Sequence, residues 1–486
     1  MKIIFTTIAF ILCFNLGFSQ NYNDALLLSQ PGLYSDARAL GMGNSFSSLS
    51  NDFSGVLFNP AGIGLMKKGE ISGGMSLNAF NNNTTFYGTT TSVDQTSVDF
   101  SQFGVVYPVP TFRGSLVFAI GYNQVKDFNG IMKFDGYNSG NTSMIQNITG
   151  DYNYDEIPLT NELGLAYEIT DPQTNDYIKD TTRINGMLDQ SGGIDKKGGM
   201  GKWSFATSFE AAKGFYIGGT FNIVTGSYQS NSDYWEVDTK DIYGTNLLLV
   251  PGDATTRDFQ SFYLNDIIDW NLSGWDFQVG ILYNYIDKFR FGASIKFPSY
   301  ITVKENFVVN AQSNFGTGSE YSQYPAINSP IKYEIRTPYE YTLGASGTIS
   351  IVTVAADMKI MDYTQMEFTD GFSYDYIAER QKEINKFMKT TIDYHLGTEV
   401  KIPNIPVFGR AGFMYFQSPF DGDPDEFNKK YITLGAGAVL DEQFIIDFAY
   451  TYGWWKNYGD NYGVDVSRTY QDINVDNMIL TLAVRL

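Results

Sequence analysis

The fold class this sequence predicts is all-β, a transmembrane antiparallel β-barrel. Three observations carry that reading. The 486 residues include 34 Tyr, 37 Phe and 48 Gly, while charged residues make up only 18%, below the roughly one quarter usual in soluble proteins. Apolar residues alternate with small or polar ones over segments of about ten residues, the length a tilted strand needs to cross a bilayer. The connections between these segments are alternately tight and long, as barrel turns and loops are.

Composition also excludes. So many aromatic and β-branched side chains rule out a disordered chain. A formal net charge of -20 without a basic cluster argues against a nucleic-acid partner. Beyond residue 19 no run of about 18 apolar residues occurs, so no helix is expected to span a bilayer.

In chain order, Met1 and Lys2 precede an uncharged apolar run from Ile3 to Phe18, with small residues at Gly17 and Ser19. This predicts an export signal over 1–19, cleaved before Gln20. Cys13, the only cysteine, lies inside it, so no disulfide is expected in the exported chain. Residues 20–68 do not alternate, yet they are rich in apolar side chains from Leu26 to Ile63. The barrel is expected over 69–486, its first strand beginning near Gly69.

Alternation then fixes the strand faces. Phe118 and Ile120 oppose Val117 and Ala119, and Phe221 and Ile223 oppose Thr220 and Asn222. Phe291 and Ile295 oppose Gly292 and Ser294, Val354 opposes Asp357, and Phe448 opposes Asp447. Met478, Leu480, Leu482 and Val484 form the last lipid face. A lipid-facing Lys or Arg at mid-depth costs roughly 2–4 kcal/mol, so Asp357, Lys359, Lys296 and Asp447 are expected to face the lumen or a rim. Lys213-Gly214, Asp287-Lys288 and Asp441-Glu442 read as tight turns, and 127–158, 171–200, 227–270 and 366–390 as long polar loops.

The N-terminal segment carries a resemblance. Asp36-Ala-Arg-Ala-Leu-Gly-Met-Gly-Asn44 is followed by Asp52 and then by Asn59-Pro60-Ala61-Gly62. This pattern resembles the plug of the FadL-type outer-membrane transporters of long-chain fatty acids and aromatic hydrocarbons. Thr337 to Gly344, Gly409 to Pro419 and Ile432 to Gly437 are similar to later strands of that family. The resemblance implies a barrel of about 14 strands with residues 20–68 as a plug in the lumen. It implies passive inward movement of a hydrophobic small molecule, foremost a long-chain fatty acid, with lateral escape through a kinked strand. It also implies an outer-membrane location of the Gram-negative type, lipid as the surrounding partner and no enzymatic activity. A monomer is expected. The rival within the same superfamily is a secretion-associated barrel whose loops bind a protein partner.

Several residue groups are candidates for function. Pro60 fixes its own φ and biases Asn59 away from helix, so Asn59-Pro60-Ala61-Gly62 predicts an elbow inside the lumen. Gly41, Gly43 and Gly62 are expected to let the plug rearrange, and Arg38, with Asp36 and Asp52, to tie it to the wall by ion pairs. Leu247, Leu248, Leu249 and Val250 interrupt a polar loop. Such a run predicts either loop packing or a surface that collects hydrophobic substrate. Asp421, Asp423 and Asp425 alternate as oxygen ligands for calcium could, although Glu426 stands where a calcium-binding loop of the EF-hand type needs Gly. His395 is the only histidine and lacks a nucleophile motif, so it predicts a wall or interface residue. No metal site is expected otherwise, and no phosphate loop or dinucleotide fingerprint suggests a cofactor.

Overall fold

The computed structural model describes residues 21–33, 36–149, 158–323, 327–463 and 465–486, so the expected export signal over 1–19 lies outside the described residues. Fourteen antiparallel strands close into a barrel. They are β1 (Glu70–Phe86), β2 (Thr89–Val109), β3 (Leu116–Asp127), β4 (Asp189–Ala212), β5 (Phe215–Val237) and β6 (Phe259–Tyr285). Next come β7, in two pieces (Phe289–Lys296 and Tyr300–Phe315), and β8, also in two (Ile327–Arg336 and Glu340–Ile349). The circuit continues with β9 (Val352–Asp362), β10 (Thr390–Lys401), β11 (Val407–Phe416), β12 (Lys429–Leu440), β13 (Phe444–Asp460) and β14 (Arg468–Arg485). Pairing of Glu70 with Arg485 and of Leu77 with Met478 joins β14 to β1, so the sheet has no free lateral edge at the seam.

The expected faces hold. Phe118, Ile120, Phe221, Ile223, Phe291, Val354, Phe448, Leu480 and Leu482 are exposed on the outside, where lipid takes the place of water. Val117, Ala119, Thr220, Asn222, Asp357, Asp447 and Thr481 are buried inside. The turns at 213–214, 286–288 and 441–443 are tight, and Gly214, Ile286, Asp287, Asp441 and Glu442 take the positive φ that such turns require.

The long loops are shorter than expected. Much of 171–200 and 227–270 is strand: β4 starts at Asp189, β5 runs to Val237 and β6 resumes at Phe259. In these extensions Gln229 to Asp233 is polar on both faces and carries no apolar face to read. Loop 127–158 contains a strand over Gly130–Tyr137 that pairs with β4. Above the barrel, Phe134, Ile145, Leu163, Leu188, Tyr243, Leu249, Phe259 and Phe315 form a core for the long-loop end.

Candidate functional site

The lumen is filled from the short-turn end by residues 36–66, which fold as short helices because no partner strand is open to them. α1 (Tyr22–Ser29) opens with a capping box between Asn21 and Asp24. α2 (Ala37–Gly41) is capped by Asp36, whose carboxylate accepts the Ala39 amide at 2.6 Å. Burial, followed by the nearby Asp52 carboxylate, raises the Asp36 acid well above its ordinary range. α3 (Gly55–Phe58) leads into a 3-10 helix over Pro60–Leu65.

The elbow sits in the lumen, against the wall. Asn59 is fully buried, and its Nδ2 donates to Ser47 O and to Ile281 O of β6, both at 2.9 Å. Its Oδ1 accepts the Ala61 amide at 3.1 Å, so one side chain joins the elbow to itself, to the preceding loop and to the barrel. The Phe58 carbonyl accepts from Gln278 of β6 and Ser294 of β7. Asp357 of β9 accepts the amides of Phe46 and Ser47 at 2.9 and 2.8 Å.

The glycines of this segment sit at close approaches to the wall and to the segment itself. A Cβ on Gly43, whose φ is +60°, would lie 2.6 Å from Leu396 O of β10. One on Gly41 would crowd Gly435 of β12, and one on Gly62 would strike Ser50 within the segment itself. His395 stands beside Gly43, its Nδ1 3.0 Å from the Gly43 carbonyl, and its ring meets Phe416 edge-on. It packs the wall.

Ion pairs complete the attachment. Arg38 lies 3.2 Å from Asp52 and 3.3 Å from Glu399 of β10, while Arg410 of β11 bridges Glu399 at 2.8 Å and Asp447 of β13. Charges of alternating sign thus run from the segment into three strands. Removing one member of such a buried chain costs about 3–5 kcal/mol, because its partner is left uncompensated. Arg38 was legible as a candidate; Glu399 and Arg410 were not, since wall charges with no motif look like rim residues.

Above this floor, apolar side chains of the wall bound a chamber that α1 fills. Trp270, Leu272, Val303, Tyr333, Ile335 and Phe368 line it, and α1 inserts Ala25, Leu26 and Leu28 among them. α4 (Tyr374–Phe387), in the 366–390 loop, covers it through Ile377, Ile384 and Phe387, the last 5.5 Å from the Tyr22 ring. The buried Lys126 ends the chamber on β3. Its Nζ donates to Leu27 O and, at 2.8 Å, to Gln30 O, which are carbonyls at the C-terminal end of α1. Lys126 had no signal in the sequence beyond lying where β3 becomes loop.

At Lys126 the β3–β4 register shifts, and β2 pairs with β3 only from Val109 to Gln102. Beyond that point the two strands part, and a cavity of about 580 Å³ opens beside Phe100, Phe103, Tyr122, Gln124 and Trp203.

The remaining candidates fall elsewhere. Leu249 is fully buried in the core of the long-loop end, with Leu247, Leu248 and Val250 half-buried around it. Asp423 accepts from Ser418 and Asp425 from Asn428, and among the described residues no three metal-ligating side chains converge, Asp421, Asp423 and Asp425 included. Lys359 pairs with Glu340 at 2.9 Å, and Lys202 with Asp276 at 2.6 Å, inside the barrel.

No protein-family model matches the chain, and no curated protein does. Its fold is nonetheless similar to that of solved transporter structures. It is similar to the Pseudomonas putida toluene transporter TodX, at 14% identity and a TM-score of 0.53 over 95% of this chain and 99% of that one. A Pseudomonas aeruginosa FadL homologue matches at 12% identity and a TM-score of 0.54, covering 93% of this chain and 98% of that chain. The Ralstonia pickettii toluene transporter TbuX gives 15% and 0.50, with 93% and 99% covered. The class is therefore a closed 14-strand antiparallel β-barrel with the fold of these transporters.

Proposed function

We propose that this barrel carries hydrophobic small molecules across the outer membrane by passive diffusion, with the apolar chamber as their binding site and residues 20–68 as the plug that gates it. The carrying observation is what fills the chamber. α1 places Leu26 and Leu28 among Trp270, Tyr333 and Ile335 while its carbonyl end takes up the Lys126 ammonium. An apolar body with a negative end is also the outline of a fatty acid, and the helix C-terminus carries the partial negative charge that a carboxylate would supply in full. Long-chain fatty acids are accordingly the proposed cargo, with Lys126 meeting the carboxylate once α1 withdraws.

Withdrawal of α1 also frees the strand it braces. Lys126 stands at the β3 register shift, and Gly32 lies so close to Val125 O that a Cβ could not fit. Cargo that displaces α1 thus loosens the wall beside the cavity between β2 and β3, which opens toward lipid. The Leu247–Val250 run lies in the cap above, and its half-buried members remain proposed as a collecting surface.

The test is binding of a long-chain fatty acid and of toluene to the purified protein and to Lys126→Met. The substitution keeps the apolar stem and removes the charge. Weaker fatty-acid binding with toluene unchanged supports the reading. Equal loss of both ligands, or of neither, refutes the carboxylate assignment. If the parent protein retains neither ligand, and a loop-bound protein co-purifies instead, the secretion-associated rival takes its place.

A further inference from the structure

Three neighbouring strands break at one level. β7 is interrupted at Phe297-Pro298-Ser299 and β8 at Thr337-Pro338-Tyr339, and the pairing on both sides of the gap keeps one register, Lys296 with Glu340 and Tyr300 with Arg336. The two prolines therefore face each other, and neither can donate to a ladder. In β9 the same level is a 3-10 turn over Tyr363–Gln365, after which Glu367–Asp370 resumes pairing with β8.

The side chains change phase across the gap. Phe297 points outward and Ser299 inward; Tyr339 points outward and Thr337 inward. Two hydrogen bonds cross it, Ser299 N to Thr337 Oγ1 at 2.9 Å and Thr337 N to Ser299 O at 3.0 Å. Outside, the Phe297 and Tyr339 rings cover it with centroids 5.8 Å apart. Inside, Ile301, Ile335 and Met361 of the chamber adjoin it.

The depth of the break is informative. Below it the outer face is apolar, with Leu343 and Ile295 exposed, whereas just above it Arg336 and Glu367 form an outward ion pair at 2.6 Å. Trp275 and Tyr300 stack there at 5.1 Å, as the girdle at a bilayer interface does. The gap is thus at the boundary between lipid and the outside.

We propose that this break is a second port, through which hydrophobic molecules dissolved at the outer interface of the bilayer pass directly into the chamber, with Phe297 and Tyr339 as its shutter. The proposal rests on the chamber being the cargo site. It places the port across the barrel wall from the parting of β2 and β3, with the five strands β3 to β7 between the two openings. Opening requires the loss of two hydrogen bonds and rotation of two rings, where an intact strand pair would lose a ladder.

A disulfide staple tests it. Ser299→Cys and Thr337→Cys, in a Cys13→Ala background, put thiols on directly opposed residues, the arrangement a disulfide can bridge. Ile295→Cys with Tyr341→Cys, opposed in the unbroken part of the same strands, is the control. The protein is placed in vesicles whose outer leaflet is loaded with pyrene, and transfer of pyrene to the interior is followed before and after oxidation. Oxidation of the 299/337 pair should lower transfer several-fold, and reduction should restore it, while the control pair transfers at the parent rate in both states. Unchanged transfer through the oxidised 299/337 staple overturns the port, and so does equal loss in the control. If the parent itself moves no more pyrene than empty vesicles, the transport reading falls with it.

Discussion

Asn59 shows how a single side chain can hold a segment in a lumen. Its amide satisfies Ser47 O and Ile281 O, and Asn59→Ala would leave both carbonyls buried without that donor. Each orphaned group costs about 1–3 kcal/mol, with nothing lost from the strand ladders themselves. The expected outcome is faster hydrogen exchange at amides 45–66 and unchanged exchange across β5 and β6. Uniform protection in parent and variant would show that the elbow is held by packing alone. The sequence made this residue visible because Pro60 constrains the backbone beside it. It left Lys126 invisible, since a lysine at the end of a strand has the same local pattern whether it meets carbonyls or water. Asp357 lies between: the alternation with Val354 put it on the inner face, but its two amide partners come from residues some three hundred positions away.

At the level of elements, what could be read is what lipid selects. Phe118-Ile120 and Leu480-Leu482 announce their faces because one side of each strand must be apolar. Asn231 to Asp233 gives no such signal, because β5 there is half-buried on both faces and polar on both. Pro298 and Pro338 could be read singly as interruptions; their being opposite each other needs the β7–β8 register. The 247–250 run was legible as apolar, and the structure divides it. Leu249 is buried with Phe259 and Tyr243, so Leu249→Ser should destabilise the cap, on the order of the 2–5 kcal/mol of a large-to-small core change. Leu247, Leu248 and Val250 keep partial exposure, and replacing these three with Ser should lower uptake at limiting substrate while the barrel keeps its heat-resistant electrophoretic mobility. Equal uptake by the triple variant and the parent would assign the whole run to packing.

For the whole molecule, the N-terminal segment and the barrel are separable in a way that the strands are not. All fourteen strands have two strand neighbours, closed through β14 and β1, so none depends on residues 21–62 for its ladder. The segment depends on the barrel instead: Leu40, Met42, Phe46, Phe53 and Ile63 are buried against it, and on its own such a short apolar stretch has no core. Its removal would leave wall groups such as Asp357, Glu399 and Arg410 facing a wide lumen, where water can solvate charges that the segment now neutralises or bonds. A barrel of this strand number encloses more space than its own inward side chains fill, so nothing else among the described elements would reclose the floor. Deleting 21–62 should therefore give a protein that still inserts but admits small polar solutes, read as faster swelling of proteoliposomes in arabinose. A deletion variant as tight as the parent would mean that the wall and the cap, and not residues 21–62, form the barrier, and the plug assignment would have to be withdrawn.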